Sequence, residues 1–174
     1  MSIVLIGYRG SGKTTVGRML AAQIGVAFVD CDEIIVARQG KSVREIFSTG
    51  DEETFRKLET TVIAELTARM DHVIAVGGGA ILRDENRQAL AQHFVVYLHC
   101  QPSALLRRIK QDPATSDNRP ELTNLGGGIE EIEALLRQRE PIYRAAMNME
   151  LDVTNLSAAQ AANEIARTIS GLKR

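Results

Sequence analysis

Short apolar runs rich in β-branched residues alternate along this chain with longer stretches whose apolar positions recur every three or four residues. The short runs predict strands near 2–6, 26–30, 73–76, 94–99 and 149–153. The longer ones predict helices near 13–24, 32–38, 42–48, 52–69, 84–92, 102–110, 129–146 and 157–171. Strand–helix–strand alternation implies a parallel sheet with helices on both faces. A near-continuous apolar strand such as Val73-Ile74-Ala75-Val76 fits burial on both sides. Pro102 suits a first helical turn, and Ser157-Ala158-Ala159-Gln160 has the pattern of a capping box. Pro141 interrupts a helical pattern and predicts a kink there. The polar, turn-rich stretch 111–120 reads as a mobile surface segment inside one domain, closed by Gly126-Gly127-Gly128.

Composition narrows the picture without deciding it. The 174 residues, 44% apolar and 25% charged, suit one globular domain with a substantial core. A net charge of −1 excludes a general basic field for nucleic acid or an anionic membrane, so any polyanionic ligand must be met by particular Lys and Arg residues. No run of about 18 apolar residues predicts a membrane span, and no signal peptide is expected before the first strand. Cys31 and Cys100 have no metal-ligand or redox spacing and read as reduced thiols of a cytoplasmic protein. His72, His93 and His99 share no ligand spacing and read as strand-edge or surface residues.

The chemistry begins at Gly7-Tyr8-Arg9-Gly10-Ser11-Gly12-Lys13-Thr14-Thr15, which follows the first strand and opens the first helix. It fits G-x-x-x-x-G-K-[ST], whose backbone N–H groups and helix N-terminus cradle phosphates. Lys13 is placed to reach the β- and γ-phosphates, and Thr14 to bind Mg²⁺. The D-x-x-G and N-K-x-D motifs of a GTPase switch are absent, and so is a dinucleotide-binding G-x-G-x-x-G.

Asp30-Cys31-Asp32 ends the second strand. In extended backbone, residues two apart point the same way, so both carboxylates would face the crevice at the strand ends. One would order Mg²⁺ through its waters and the other would accept a hydroxyl proton, as phosphoryl transfer to an alcohol requires. Asp is also a common N-cap, so a capping role for Asp32 stands beside the catalytic one. Arg56 and Glu59 share a helix face, which lets the carboxylate hold the guanidinium. Arg139 lies in Arg139-Glu140-Pro141-Ile142-Tyr143. Each arginine alone is commonly a solvated surface residue; two converging ones would hold a carboxylate. Gly77-Gly78-Gly79 directly follows the third strand and allows a ligand close to the backbone. Arg119, before Pro120 in the polar segment, could close over the phosphates and exclude water.

Taken together, G-Y-R-G-S-G-K-T, D-C-D, F-R-K-L-E, V-G-G-G, N-R-P and R-E-P-I-Y resemble the shikimate kinase family in order and spacing over almost the whole chain. The resemblance implies a three-layer P-loop NTPase fold of the nucleoside-monophosphate-kinase type. Its α/β core would be a five-stranded parallel sheet in order 2-3-1-4-5, in one domain spanning 1–174. Substrate-binding helices would occupy about 32–60 and a mobile lid about 111–124. It implies ATP-dependent phosphorylation of the shikimate 3-hydroxyl, a step toward chorismate and the aromatic amino acids, in a cytoplasmic monomer. It implies Asp32 as base, assisted by Lys13 and Arg119. Arg56, Arg139, Gly77, Gly78 and Gly79 would bind shikimate, with Glu59 buttressing Arg56 and Phe47 and Phe55 walling the pocket. ATP would meet Gly10, Ser11, Gly12, Lys13, Thr14, Thr15, Arg108, Arg119 and Asn155, and Mg²⁺ would meet Thr14 and Asp30. The chain departs from the family pattern at Arg119-Pro120-Glu121-Leu122, where R-P-L-L is common. It departs also in a longer 111–118 stretch and at Asp152-Val153-Thr154-Asn155-Leu156, where a proline often lies near adenine. A gluconate-kinase-like enzyme of the same fold and a non-catalytic nucleotide-binding regulator remain alternatives.

Overall fold

The computed structural model describes residues 1–49, 52–69, 71–112 and 128–172. Its strands are β1 (Ile3–Ile6), β2 (Ala27–Asp30), β3 (His72–Ala75), β4 (Phe94–His99) and β5 (Met149–Asp152). They form one parallel sheet in the order β2-β3-β1-β4-β5, as expected. Between them run α1 (Lys13–Ile24), α2 (Cys31–Gln39), α3 (Val43–Thr49), α4 (Glu52–Thr67), α5 (Asp84–Leu90), α6 (Pro102–Gln111), α7 (Ile129–Ala146) and α8 (Ala158–Leu172). One short 3₁₀ turn, Ala80–Leu82, was not expected.

The two-residue period of the strands divides the core between the two faces of the sheet. Ile3 and Leu5 of β1 join Val96 and Leu98 of β4 beneath α1, α6 and α8. Val4 and Ile6 join Val95 and Tyr97 beneath α2 and α4. The long helix α7 reaches both layers: Ile132, Leu135 and Leu136 enter the first core and Tyr143 the second. That path carries Arg139, between those two sets, across the site. The helix runs through Pro141 without ending there. Packing on both sides compensates for the one backbone bond that proline removes.

Local signals act as expected at several ends. Ser157 and Gln160 exchange the two bonds of a capping box, at 2.9 and 3.2 Å. Ser42 and Glu45 form a second capping box before α3, one not among the expectations, at 2.7 and 3.2 Å. Pro102 occupies the first turn of α6. Cys31 and Cys100 are free and buried, and burial raises both thiol pKa values. His93 is buried rather than superficial; its ring Nδ1 accepts from the Ser2 N–H at 3.3 Å, and desolvation lowers its pKa. Among the described residues, no helix is long and apolar enough to cross a membrane.

Candidate active site

The loop from Gly7 to Gly12 turns sharply between β1 and α1. Gly7, Gly10 and Gly12 have φ of 143°, 81° and 92°, a left-handed region that an L side chain avoids. Lys13 Nζ donates to the carbonyls of Gly7 and Tyr8 at 2.8 and 3.1 Å, which pins the ammonium over the loop. Gly10, Ser11, Gly12, Lys13, Thr14 and Thr15 all line one cavity, with about 1130 Å³ of empty space. A net positive loop at a helix N-terminus suits a polyphosphate.

The two aspartates reach the same crevice by a different geometry from the extended alternation expected for them. Asp30 ends β2 and caps α2, its Oδ1 accepting from the Asp32 N–H at 3.0 Å. Helix α2 begins at Cys31, so Asp32 stands in its first turn. The capping role therefore belongs to Asp30, not Asp32. The other Asp30 oxygen accepts from the Thr14 hydroxyl at 2.7 Å. This pair of hard oxygen donors beside the phosphate loop suits Mg²⁺, which keeps waters and phosphates in its own shell rather than needing a protein cage. Asp32 lines both this cavity and the next.

The second cavity, about 490 Å³, abuts the first and is less than half its size. Phe47 and Phe55 wall it, their ring centroids 5.0 Å apart. Arg56 is 9% exposed, and its guanidinium bonds the fully buried Glu59 at 2.7 Å and Glu52 at 3.1 Å. Arg139 is 6% exposed and lies over the Tyr8 ring, 5.9 Å from its centroid. The Arg139 Nε–H is buried without a hydrogen-bond partner among the described residues. An unmet buried donor costs about 1–3 kcal/mol, which a carboxylate in this cavity would offset.

The three glycines make room for side chains as well as ligand. A Cβ on Gly77 would overlap Glu59 Oε1 and stand 3.3 Å from Asp32 Oδ1. A Cβ on Gly79 would overlap the Arg56 guanidinium, 2.7 Å from its Cζ. The Gly78 carbonyl accepts from the Tyr143 hydroxyl at 2.5 Å. Tyr143 lies four residues beyond Arg139 on one face of α7, so this bond indexes Arg139 to the glycine turn.

The shikimate kinase family model matches residues 9–170. The chain belongs to the shikimate kinase family. Relatives named shikimate kinase include one from Rhodopirellula baltica, 37% identical over 164 residues, with 94% of this chain and 87% of the relative covered. One from Thermobifida fusca is 43% identical over 166 residues, covering 95% and 93%. The solved structure of shikimate kinase from Acinetobacter baumannii in complex with shikimate matches at TM-score 0.92 and 36% identity, over 99% of this chain and 94% of that one. Deoxyadenosine kinase from M. mycoides, at TM-score 0.66 and 15% identity, shares the fold alone.

In this shikimate kinase family member the fold joins Asp32, Arg56, Glu59, Phe47, Phe55, Arg139 and the glycine turn in one cavity. Arg108 lines the nucleotide-side cavity, but its guanidinium is engaged: Nη2 donates to the carbonyls of Val153 and Thr154 at 2.7 and 3.3 Å, holding that loop. Asn155 is exposed and does not line the cavity; its neighbours Val153, Leu156 and Ser157 do. The chain turns at this point, so the side chains beside Asn155 face inward while its own faces solvent. Arg119, Pro120, Glu121 and all of the expected lid beyond Asp112 lie outside the described residues. Tyr8, Arg9 and Val43, outside the set of expected site residues, also line the smaller cavity. Tyr8 and Arg9 occupy the unconstrained positions of the phosphate-loop motif, so no local signal marks them.

Proposed function

We propose that this chain transfers the γ-phosphoryl group of ATP to the 3-hydroxyl of shikimate, giving shikimate 3-phosphate and ADP. The observation that carries this reading is the pairing of cavities. A polyphosphate cradle opens beside a smaller, aromatic-walled pocket that holds two buried guanidiniums, and Asp32 faces both. Arg56 and Arg139 take the acceptor's carboxylate, which leaves its hydroxyls toward Asp32. Asp32 accepts the hydroxyl proton as the oxygen attacks. Lys13 and the loop N–H groups orient the phosphates and draw charge toward the leaving ADP. Thr14 and Asp30 would hold Mg²⁺, which would supply neutralisation of phosphate charge. By the family resemblance, this proposal also assigns Arg119 as a second cation for the phosphates and the 111–124 segment as the part that would exclude water.

A gluconate-like acceptor and a non-catalytic regulator are both weaker readings for a chain that matches the shikimate kinase family model over residues 9–170 and has Lys13, Thr14 and Asp32 lining one cavity. The enzyme acts as a cytoplasmic monomer in this proposal; two buried, unbridged thiols suit a reducing compartment. The test is ADP release from Mg²⁺-ATP with shikimate, quinate or gluconate, using Lys13→Ala as the blank. Stimulation by shikimate alone is expected. Stimulation by another acceptor would move the substrate, and stimulation by none would return the regulator reading.

A further inference from the structure

Arg9 lies where the two cavities meet. It lines both, a property it shares with Asp32. Its position is set from two sides. Gly7 and Gly10 bracket it in the tight loop, with φ of 143° and 81°. The Arg9 backbone nitrogen also lies 3.6 Å from where a Gly78 Cβ would stand, so the phosphate loop and the glycine turn abut at this residue. Its side chain is only 10% exposed, and Nη2 lies 3.5 Å from Oε1 of Glu131, which is fully buried in the first turn of α7. A guanidinium held at this junction stands beside the path that a phosphoryl group takes from one cavity to the other.

We infer that Arg9 is a catalytic residue that contacts the phosphoryl group in transit, and that Glu131 is the positioning residue that orients it. The inference rests on the kinase reading above. In the step it serves, the bond between the γ-phosphorus and the oxygen bridging to the β-phosphorus breaks, and its electron pair stays on ADP. The acceptor oxygen forms the new P–O bond, and its proton passes to Asp32. Negative charge is spread over the three non-bridging oxygens of the moving group during this exchange. A planar fork of N–H donors fits two of those oxygens at once, as a point-charge ammonium does not.

A structural alternative is that Arg9 only neutralises the buried Glu131 carboxylate. Removing one member of a buried pair is strongly destabilising, so Arg9→Met alone would mix the two explanations. The double variant Arg9→Met/Glu131→Gln separates them, because it removes both charges together. The experiment measures kcat and both KM values for wild type, Arg9→Met, Arg9→Lys and the double variant. A second readout is the rise in Tm from ADP with Mg²⁺ and fluoroaluminate over ADP with Mg²⁺ alone. That ligand mimics the phosphoryl group in flight and needs no acceptor.

The expected result is a kcat about 100-fold or more lower in Arg9→Met and in the double variant, with both KM values within about threefold. Arg9→Lys should fall between them and wild type, and the fluoroaluminate increment should be lost in both Met variants. A double variant with wild-type kcat and increment would overturn the inference, leaving Arg9 as a neutralising partner. A change confined to KM would overturn it as well. If wild type phosphorylates no acceptor, the functional reading fails by itself and the fluoroaluminate increment alone decides the role of Arg9: its loss supports the inference, and its retention overturns it.

Discussion

The Tyr143 hydroxyl donates to the Gly78 carbonyl at 2.5 Å, joining the helix that carries Arg139 to the turn that floors the acceptor cavity. The phenol is buried, and desolvation pushes its pKa up from the usual 10.0 to about 12. The folded protein therefore holds this proton at a pH where the unfolded chain has lost it. Its contribution to stability is complete below pH 10 and is lost as pH rises from 10 to about 12. Two pKa units correspond to about 2–3 kcal/mol. Denaturant titrations at pH 8, 10 and 11 should show wild type losing stability faster than Tyr143→Phe across that window. Parallel slopes would count against the account. At neutral pH, Tyr143→Phe should also raise the acceptor KM, because Arg139 loses its index to the turn.

Glu59 is wholly buried and holds Arg56 at 2.7 Å. Glu59→Ala would leave the guanidinium without its inner carboxylate, a loss of about 3–5 kcal/mol for a buried pair. Urea denaturation should register it directly. Glu59→Gln keeps the shape and should fold, but the weaker anchor should raise the acceptor KM with little change in the KM for ATP. Equal shifts in both constants would show that Glu59 is not specific to the acceptor side.

Alanine at the glycine turn should not act uniformly. Gly79→Ala drives a methyl into the Arg56 guanidinium, and Gly77→Ala drives one into Glu59. At Gly78 the nearest atom to a new Cβ is the Gly7 carbonyl oxygen, at 3.3 Å, which demands a smaller adjustment. Gly77→Ala and Gly79→Ala should raise the acceptor KM about tenfold or more, about 1.4 kcal/mol or more in binding relative to wild type, and Gly78→Ala should do less. Titration of the acceptor into each variant, followed by calorimetry, ranks the three; a Gly78→Ala defect larger than the others would reverse the assignment.

Asp32 faces both cavities from the first turn of α2. Asp32→Asn removes the proton acceptor and should lower kcat by about 10²–10⁴-fold. The phosphate loop is untouched, so ATP affinity by equilibrium binding should be retained. Near-normal turnover would remove Asp32 from the base role.

Much of the architecture follows from local pattern. The boundaries of α1, β4 and α7 fall where periodicity places them, because each is a long or strongly apolar run. The phosphate loop is legible for the same reason: all its residues are contiguous, and glycine is required by the backbone they adopt. The Asp30–Asp32 pair shows the limit of a two-residue period. The Asp30 side chain captures the Asp32 N–H and starts a helix one residue after the strand, so the period changes between the two carboxylates.

Arg56, Arg139 and the glycine turn could be named as a set only through the resemblance to shikimate kinases, since no local periodicity connects positions so far apart. The folded chain alone decided the rest. Arg108, open to a nucleotide role on sequence grounds, has its guanidinium bound to the carbonyls of Val153 and Thr154. Arg9, a variable position in its motif, becomes the bridge between two cavities beside a glutamate 122 residues away. Helix and strand signals arise between near neighbours, where chain connectivity limits the choices. A guanidinium's partner is set by which distant elements the packed core brings within reach, and that information exists only once the sheet and helices have assembled.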